Sequence, residues 1–251
     1  MSKIALITGA TAGIGQACAR LFAGQKYNLI LLARRAEKLN SFSDDLRQEF
    51  GIRVKTLIAD VRNKEEVAQL ETLPDDWKKV DVLINNAGLS QGLDPINSGD
   101  TTDWDVMIDT NVKGLLYVTK VISNWMIKSG GGHIINMGSI AGKETYLNGN
   151  VYCATKYAVD SLNQAMRIDL LKHKIKVTGI HPGAVATEFS EVRFKGDTER
   201  AKKVYEGFEP LNAQDIAETI WFAVSRPPHV NINDMIVMPT AQANTTHLIR
   251  E

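Results

Sequence analysis

Two hydrophobic rhythms alternate along the chain. Short, nearly unbroken apolar runs are separated by longer stretches in which apolar positions recur every three or four residues. ALIT, LILL, VLIN and HIIN are almost wholly apolar, as strands covered on both faces must be. The runs predict strands over Ile4–Thr8, Asn28–Ala33, Arg53–Ala59, Val80–Asn85, His133–Gly138, Lys176–His181 and Asp234–Met238. The helical rhythm places helices over Gly13–Ala23, Arg35–Phe50, Lys64–Leu73, Thr101–Lys128, Val151–Lys172 and Gln214–Ser225. This alternation predicts an α/β chain: a single Rossmann-type, doubly wound parallel sheet of about seven strands with helices on both faces. No repeat, low-complexity tract or linker interrupts the pattern, so residues 1–251 read as one domain. Ligands of such sheets bind outside the carboxyl ends of the strands, and functional residues should follow strands.

Composition narrows the partners. Lys plus Arg number 29 and Asp plus Glu 29, a formal net charge of zero. A nucleic-acid surface needs a basic excess, so no nucleic-acid partner is expected and any anion site must be local. The two cysteines, Cys18 and Cys153, lie in helical segments with no metal or disulfide spacing. They read as small buried hydrophobes in a reducing cytoplasm. The early apolar run Ile4–Ile7 is too short for a signal peptide, and no stretch reaches membrane-spanning length. Asn244-Thr245-Thr246 matches a glycosylation acceptor, a pattern common by chance and without meaning in a cytosolic chain.

The loop after the first strand is Thr8-Gly9-Ala10-Thr11-Ala12-Gly13-Ile14-Gly15, and it opens the first helix. A phosphate needs close backbone approach, free N–H groups and the positive end of a helix dipole, and glycines permit the approach. The spacing is G-x-x-x-G-x-G rather than the commoner G-x-G-x-x-G. The second strand ends Ala33-Arg34-Arg35. An acid there would bond a ribose 2′-hydroxyl, whereas a guanidinium binds a 2′-phosphate. NADP is therefore expected over NAD, the other reading of Arg34 and Arg35 being a solvated helix start. Asp60-Val61 follows the third strand, where Asp60 would accept from an adenine amino group or cap the next helix. Asn86-Ala87-Gly88 follows the fourth strand, and its small residues let the chain pass close under a cofactor.

Tyr152 and Lys156 stand four residues apart at the start of a long helix, on one face. A phenol has a pKa near 10. A neighbouring ammonium favours the phenolate and moves that pKa toward the range acid–base catalysis requires. Ser139 follows the fifth strand, where its hydroxyl can bond a substrate oxygen or cap a helix. Asn111 lies inside a predicted helix, where a polar amide marks a kink or a buried water.

These residues carry a resemblance. TGATAGIG, NNAG, the Asn111 region, Ser139, YCATK and HPGAVAT (His181–Thr187) resemble, in order and spacing over essentially the whole chain, the short-chain dehydrogenase/reductase family. The resemblance implies that Asn111, Ser139, Tyr152 and Lys156 form a catalytic tetrad. In it Lys156 binds the nicotinamide ribose and lowers the Tyr152 pKa, and Asn111 holds a water in a proton relay. It implies that Pro182, Gly183, Val185 and Thr187 cradle the nicotinamide, and that Arg34 is the basic residue of NADP-preferring members. Residues Thr187–Asp197, Gly149–Tyr152 and the tail Met238–Ala243 are similar to the NADP-dependent serine and 3-hydroxy acid dehydrogenases. These oxidise serine, allo-threonine and 3-hydroxypropionate-type acids. Related enzymes reduce sulfoacetaldehyde to isethionate. A reading of a different class is an NADP-binding sensor that catalyses nothing, against which the complete tetrad stands.

An anionic substrate needs a cation. Arg193, in the lid expected near residues 187–210, is the candidate anchor, with Tyr146 as an added donor. The competing expectation is a salt bridge from Arg193 to Glu188, Glu191 or Asp197. Lys143-Glu144-Thr145 departs from the apolar, Trp-containing version associated with bacterial serine dehydrogenases, which speaks against serine itself. Thr101–Lys128 and Val151–Lys172 are apolar on more than one face, predicting burial against another subunit. The resemblance implies a homotetramer whose tails, Thr245–Glu251, cross to a neighbour's pocket.

Overall fold

The computed structural model describes residues 2–251. Seven strands, β1 (Ile4–Thr8), β2 (Asn28–Ala33), β3 (Val54–Ile58), β4 (Val82–Asn85), β5 (Gly132–Met137), β6 (Ile175–Pro182) and β7 (Asp234–Val237), form one sheet in the order β3-β2-β1-β4-β5-β6-β7. Every pairing is parallel. The chain order reverses between β1 and β4, and a ligand crevice opens at such a switch point.

The continuous apolar runs have the expected cause. All residues of β1 and β2 are buried, because alternate side chains enter two separate cores. Ala5, Ile7, Leu29 and Leu31 pack with helices α1 (Gly13–Gly24), α2 (Ala36–Phe50) and α9 (Ala213–Val224). Leu6, Ile30, Leu32 and Leu83 face the opposite core, with α5 (Leu115–Ser129) and α6 (Asn150–Leu170).

The sequence reading needs three amendments. The predicted helix Thr101–Lys128 is two helices, α4 (Thr101–Ile108) and α5, joined by a wide π-type turn over Asp109–Gly114. The helix expected over Lys64–Leu73 is regular only in α3 (Lys64–Ala68) and then tightens. Its cap is Asn63, whose side chain accepts from Glu65 and Glu66. Capping is therefore not the role of Asp60. The segment expected as a lid, residues 187–210, contains two short helices that the hydrophobic rhythm does not announce, α7 (Phe189–Arg193) and α8 (Thr198–Lys203).

The tail packs against its own chain. Gln242 Oε1 accepts from Ala184 N at 2.9 Å, and Ile249 N donates to Ala241 O at 2.9 Å. Arg250 donates to the carbonyls of Val204 and Glu206, after α8, and Glu251 N donates to Gly207 O at 2.8 Å. No described helix is long and apolar enough to cross a membrane. Leu116, Tyr157, Ile168 and Leu171 leave apolar surface exposed around α5 and α6.

Candidate active site

The carboxyl ends of β1, β2, β3, β4, β5 and β6 border one open cleft of about 570 Å³, within the range of small-molecule sites. At one end it is lined by Arg34, Arg35, Asp60 and Val61, in the middle by Gly9, Thr11, Gly13, Ile14, Asn86, Ala87 and Gly88. At the other end stand Ser139, Tyr146, Tyr152, Lys156, Pro182, Gly183, Val185, Thr187 and Arg193. Of the sequence-predicted residues, Gly15 and Asn111 lie behind this lining.

The glycine loop is built for close approach. Gly9 has φ +67°, and a Cβ there would meet Asn86 Nδ2 at 2.9 Å. A Cβ on Gly15 would meet Gly9 O at 2.4 Å, so Gly15 lets helix α1 sit against the loop and touches no cleft space. Ala12 caps α1 without any side-chain acceptor, and its first turn holds no acid. The helix thus presents bare N–H groups and the positive end of its dipole, as an anion site requires. Behind the loop, Asn86 Nδ2 donates to Thr8 O at 2.9 Å and Gly9 O at 3.2 Å. Thr8 Oγ1 accepts from Asn86 N and Ala87 N. The NNAG segment is thereby tied to β1.

At the β2 end the arginines differ. Arg34 lies 3.6 Å from Asp60 and is largely exposed. Arg35 donates to Thr11 Oγ1 at 3.1 Å and to Glu188 at 2.9 Å. Asp60 is gripped by Arg62 through both carboxylate oxygens. Burial raises its pKa, but hydrogen bonds and charge from Arg62 outweigh that and hold it below the usual carboxylate range.

At the far end Tyr152 is 8% exposed and Lys156 6%. The ammonium stands 5.9 Å from the phenol ring centroid and donates to Met137 O at 2.8 Å. The electrostatics differ from the sequence expectation. Burial pushes the Tyr152 phenol above its ordinary 10, helped by Tyr146. The influences that pull it down are the Ser139 hydroxyl and the Arg193 guanidinium. Lys156, itself fully desolvated, is pushed down to about 8. Enclosure thus favours the uncharged form of both groups.

Lys156 carries a pH signature. Its folded pKa lies below the ordinary 10.5, so the folded chain releases this proton first. Its contribution to stability is unfavourable below about pH 8 and improves as pH climbs from there to about 10.5. The raised phenol acts in the opposite sense, withdrawing stability above pH 10. In thermal unfolding from pH 7 to 10, the wild-type chain should gain on a Lys156→Met variant. A constant gap between them would mean the ammonium is not desolvated.

Asn111 sits in the π-type turn, and its carboxamide is fully engaged. Its Oδ1 accepts from Leu89 N at 2.8 Å, and its Nδ2 donates to Leu89 O at 2.8 Å and Thr155 Oγ1 at 3.0 Å. It clamps the chain after NNAG to α6. Ser139 accepts from Ala141 N at 3.1 Å as a cap, and it lines the cleft. Pro182-Gly183 follow His181, whose buried ring meets Asp234 at 3.0 Å.

Arg193 makes none of the three salt bridges expected of it. Glu188 is taken by Arg35 and Lys38, Asp197 caps α8, and Glu191 has no ion pair among the described residues. The Arg193 guanidinium lies 5.4 Å from the Tyr146 ring centroid and 5.6 Å from that of Tyr152, with a donor on the Tyr146 hydroxyl. Its Nε is buried with no protein partner. Lys195 is spent on Asp103 at 2.9 Å. Lys143 pairs with Asp160 at 2.7 Å and Glu144 accepts from Thr245, so this departing segment faces the tail and not the cleft. Sequence reasoning missed Phe189, whose ring packs 5.7 Å from that of Tyr152, and Gln242, which supports the Gly183–Ala184 backbone.

Comparison with known proteins agrees with this geometry. A family model described as short chain dehydrogenase matches residues 3–198. The chain is 45% identical over 242 residues, 96% of each protein, to an NADP-dependent 3-hydroxy acid dehydrogenase YdfG of Salmonella typhi. It is 42% identical over 245 residues, 97% of this chain and 96% of the other, to sulfoacetaldehyde reductase 2 of Chromohalobacter salexigens. Among solved structures, the closed form of a serine dehydrogenase complexed with NADP+ superposes with a TM-score of 0.92 at 41% identity, covering 99% of both chains.

Proposed function

This chain belongs to the short-chain dehydrogenase family, and from that premise we propose that it is an NADP-dependent oxidoreductase interconverting a short anionic 3-hydroxy acid and its carbonyl form. One observation carries the substrate class: the Arg193 guanidinium lines the cleft over Tyr152 and has no carboxylate partner among the described residues. A substrate carboxylate supplies the missing counter-charge, and a guanidinium can bind it with two donors. The bare N-terminus of α1, the close-approach loop and the basic β2 end fit a dinucleotide phosphate.

When bound, NADP(H) gives or takes the hydride and, oxidised, adds positive charge near the phenol. In the direction of reduction Tyr152 donates its proton to the oxygen that becomes the hydroxyl, and Ser139 bonds that same oxygen. Burial keeps the phenol protonated in wait. Lys156 reaches from the Tyr152 face toward Met137 and Gly88 and would take a ribose hydroxyl. A relay water held by Asn111 would have to use an atom other than its carboxamide, which is spent on Leu89 and Thr155.

A sulfonate suits the same guanidinium, and the likeness to a sulfoacetaldehyde reductase favours it as a second reading. Cofactor absorbance with serine, 3-hydroxypropionate, isethionate and sulfoacetaldehyde, beside uncharged 1-propanol and propanal, separates these. Anionic compounds should be preferred by about 10²-fold or more, in line with a desolvated charge pair. Equal turnover of the uncharged pair would sink the anion reading.

The apolar residues around α5 and α6 support self-association, and a tetramer is the proposed state. Sedimentation velocity should find no monomer at micromolar concentration. Leu116→Lys with Ile168→Lys should release smaller species.

A further inference from the structure

The lid starts at the edge of the cleft, and its second residue is fastened to the opposite end. Glu188 Oε2 accepts from Arg35 Nη1 at 2.9 Å, and Lys38 Nζ lies 3.7 Å from Oε1. Arg35 Nε donates in turn to Thr11 Oγ1 at 3.1 Å. Glycine loop, basic strand end and lid are thereby joined in one line across the cleft mouth.

This line divides the two arginines after β2. A guanidinium grips phosphate with two parallel N–H groups along one edge. In Arg35 the edge containing Nε is committed to a hydroxyl and the edge containing Nη1 to a carboxylate. Arg34 keeps its fork open, since Asp60 stands 3.6 Å away and is already saturated by Arg62. A dianion arriving beside Arg34 therefore meets a second cation whose charge is held by the lid.

We propose that Glu188 is a specificity-determining residue that competes with the cofactor's 2′-phosphate for Arg35 and Lys38, so that the phosphorylated cofactor unfastens the first turn of the lid and the unphosphorylated one does not. The inference rests on the NADP reading above and adds to it a lid carboxylate that senses the phosphate. Carboxylate and phosphate carry like charge, so one weakens the hold of the other on the shared cations. The Arg35–Glu188 pair is solvent-exposed, with side chains 42% and 46% accessible. Such pairs are weak and screened by salt.

The test is Glu188→Gln, a surface change that leaves the fold unstressed. Binding of NADPH and NADH is followed by ligand fluorescence. The variant should hold NADPH about two- to fivefold tighter with NADH unchanged, and the gain should shrink at high salt, as expected for an exposed pair. In the wild type, adenosine 2′,5′-bisphosphate should speed amide hydrogen exchange over Phe189–Arg193, and AMP should not. Equal tightening of both cofactors, no tightening of NADPH, or identical exchange with both adenosine ligands would overturn the competition. Arg34→Ala and Arg35→Ala separate this from the underlying reading. If neither weakens NADPH relative to NADH, the phosphate site itself lies elsewhere. If they do and Glu188→Gln has no effect, the phosphate site stands and only the lid competition fails.

Discussion

Replacing Tyr152 by Phe should lower kcat by about 10²- to 10⁴-fold, the usual worth of a positioned proton donor, while NADPH binding and fold persist. The expectation follows from where the phenol sits. Its ring packs among Leu89, Met107, Ala141 and Cys153 and against Phe189, all of which a Phe ring satisfies equally. Only the hydroxyl is lost, and it faces the cleft beside Ser139. No other group there substitutes readily. Lys156 is turned to Met137 O, and burial pushes the Tyr146 phenol up while Arg193 opposes the rise. Steady-state rates, NADPH fluorescence titration and the melting temperature separate the possibilities. A large loss of rate with unchanged NADPH affinity and Tm supports the proton-transfer role. Retained turnover would assign the proton to another group.

The strands were legible because burial on both faces leaves no polar positions, so ALIT and LILL could be little else. Tyr152 and Lys156 were legible because a helix converts a spacing of four into a shared face, and their separation bears this out. What escaped depends on distant parts of the chain. The break at Asp109–Gly114 was hinted at by Asn111, but its form follows from hydrogen bonds to Leu89 and Thr155. Helices α7 and α8 are five and six residues long, below what local propensity can hold. They stand on tertiary ties such as Tyr205 to Ser190 and Val185. The tail carries no rhythm at all, and its place is set by Arg250 and Gln242 bonding to main-chain groups dozens of residues away. The largest influence on the Tyr152 phenol, burial, is hidden from the sequence for a related reason. A neighbouring charge can be read from spacing, whereas full enclosure by α6, the lid and β5 is known only from the fold.

Arg193 is the second decisive position. Arg193→Leu should cut kcat/KM for an anionic substrate by about 10²- to 10³-fold, corresponding to about 3–4 kcal/mol for a charge pair stripped of water. Arg193→Lys should recover only part, because an ammonium supplies a point charge without the two-donor edge. A complication is built into the site, since the guanidinium also lowers the Tyr152 pKa. Its removal should therefore raise the phenol further and slow even an uncharged aldehyde somewhat. The two effects part company in the data. Loss of anchoring falls on anionic substrates and is independent of pH near neutrality. Loss of the charge beside the phenol falls on every substrate alike and moves the ascending limb of the oxidation profile to higher pH. If propanal and the anionic aldehydes lose rate in the same proportion, Arg193 acts only through Tyr152, and its place on the cleft wall serves no substrate anion.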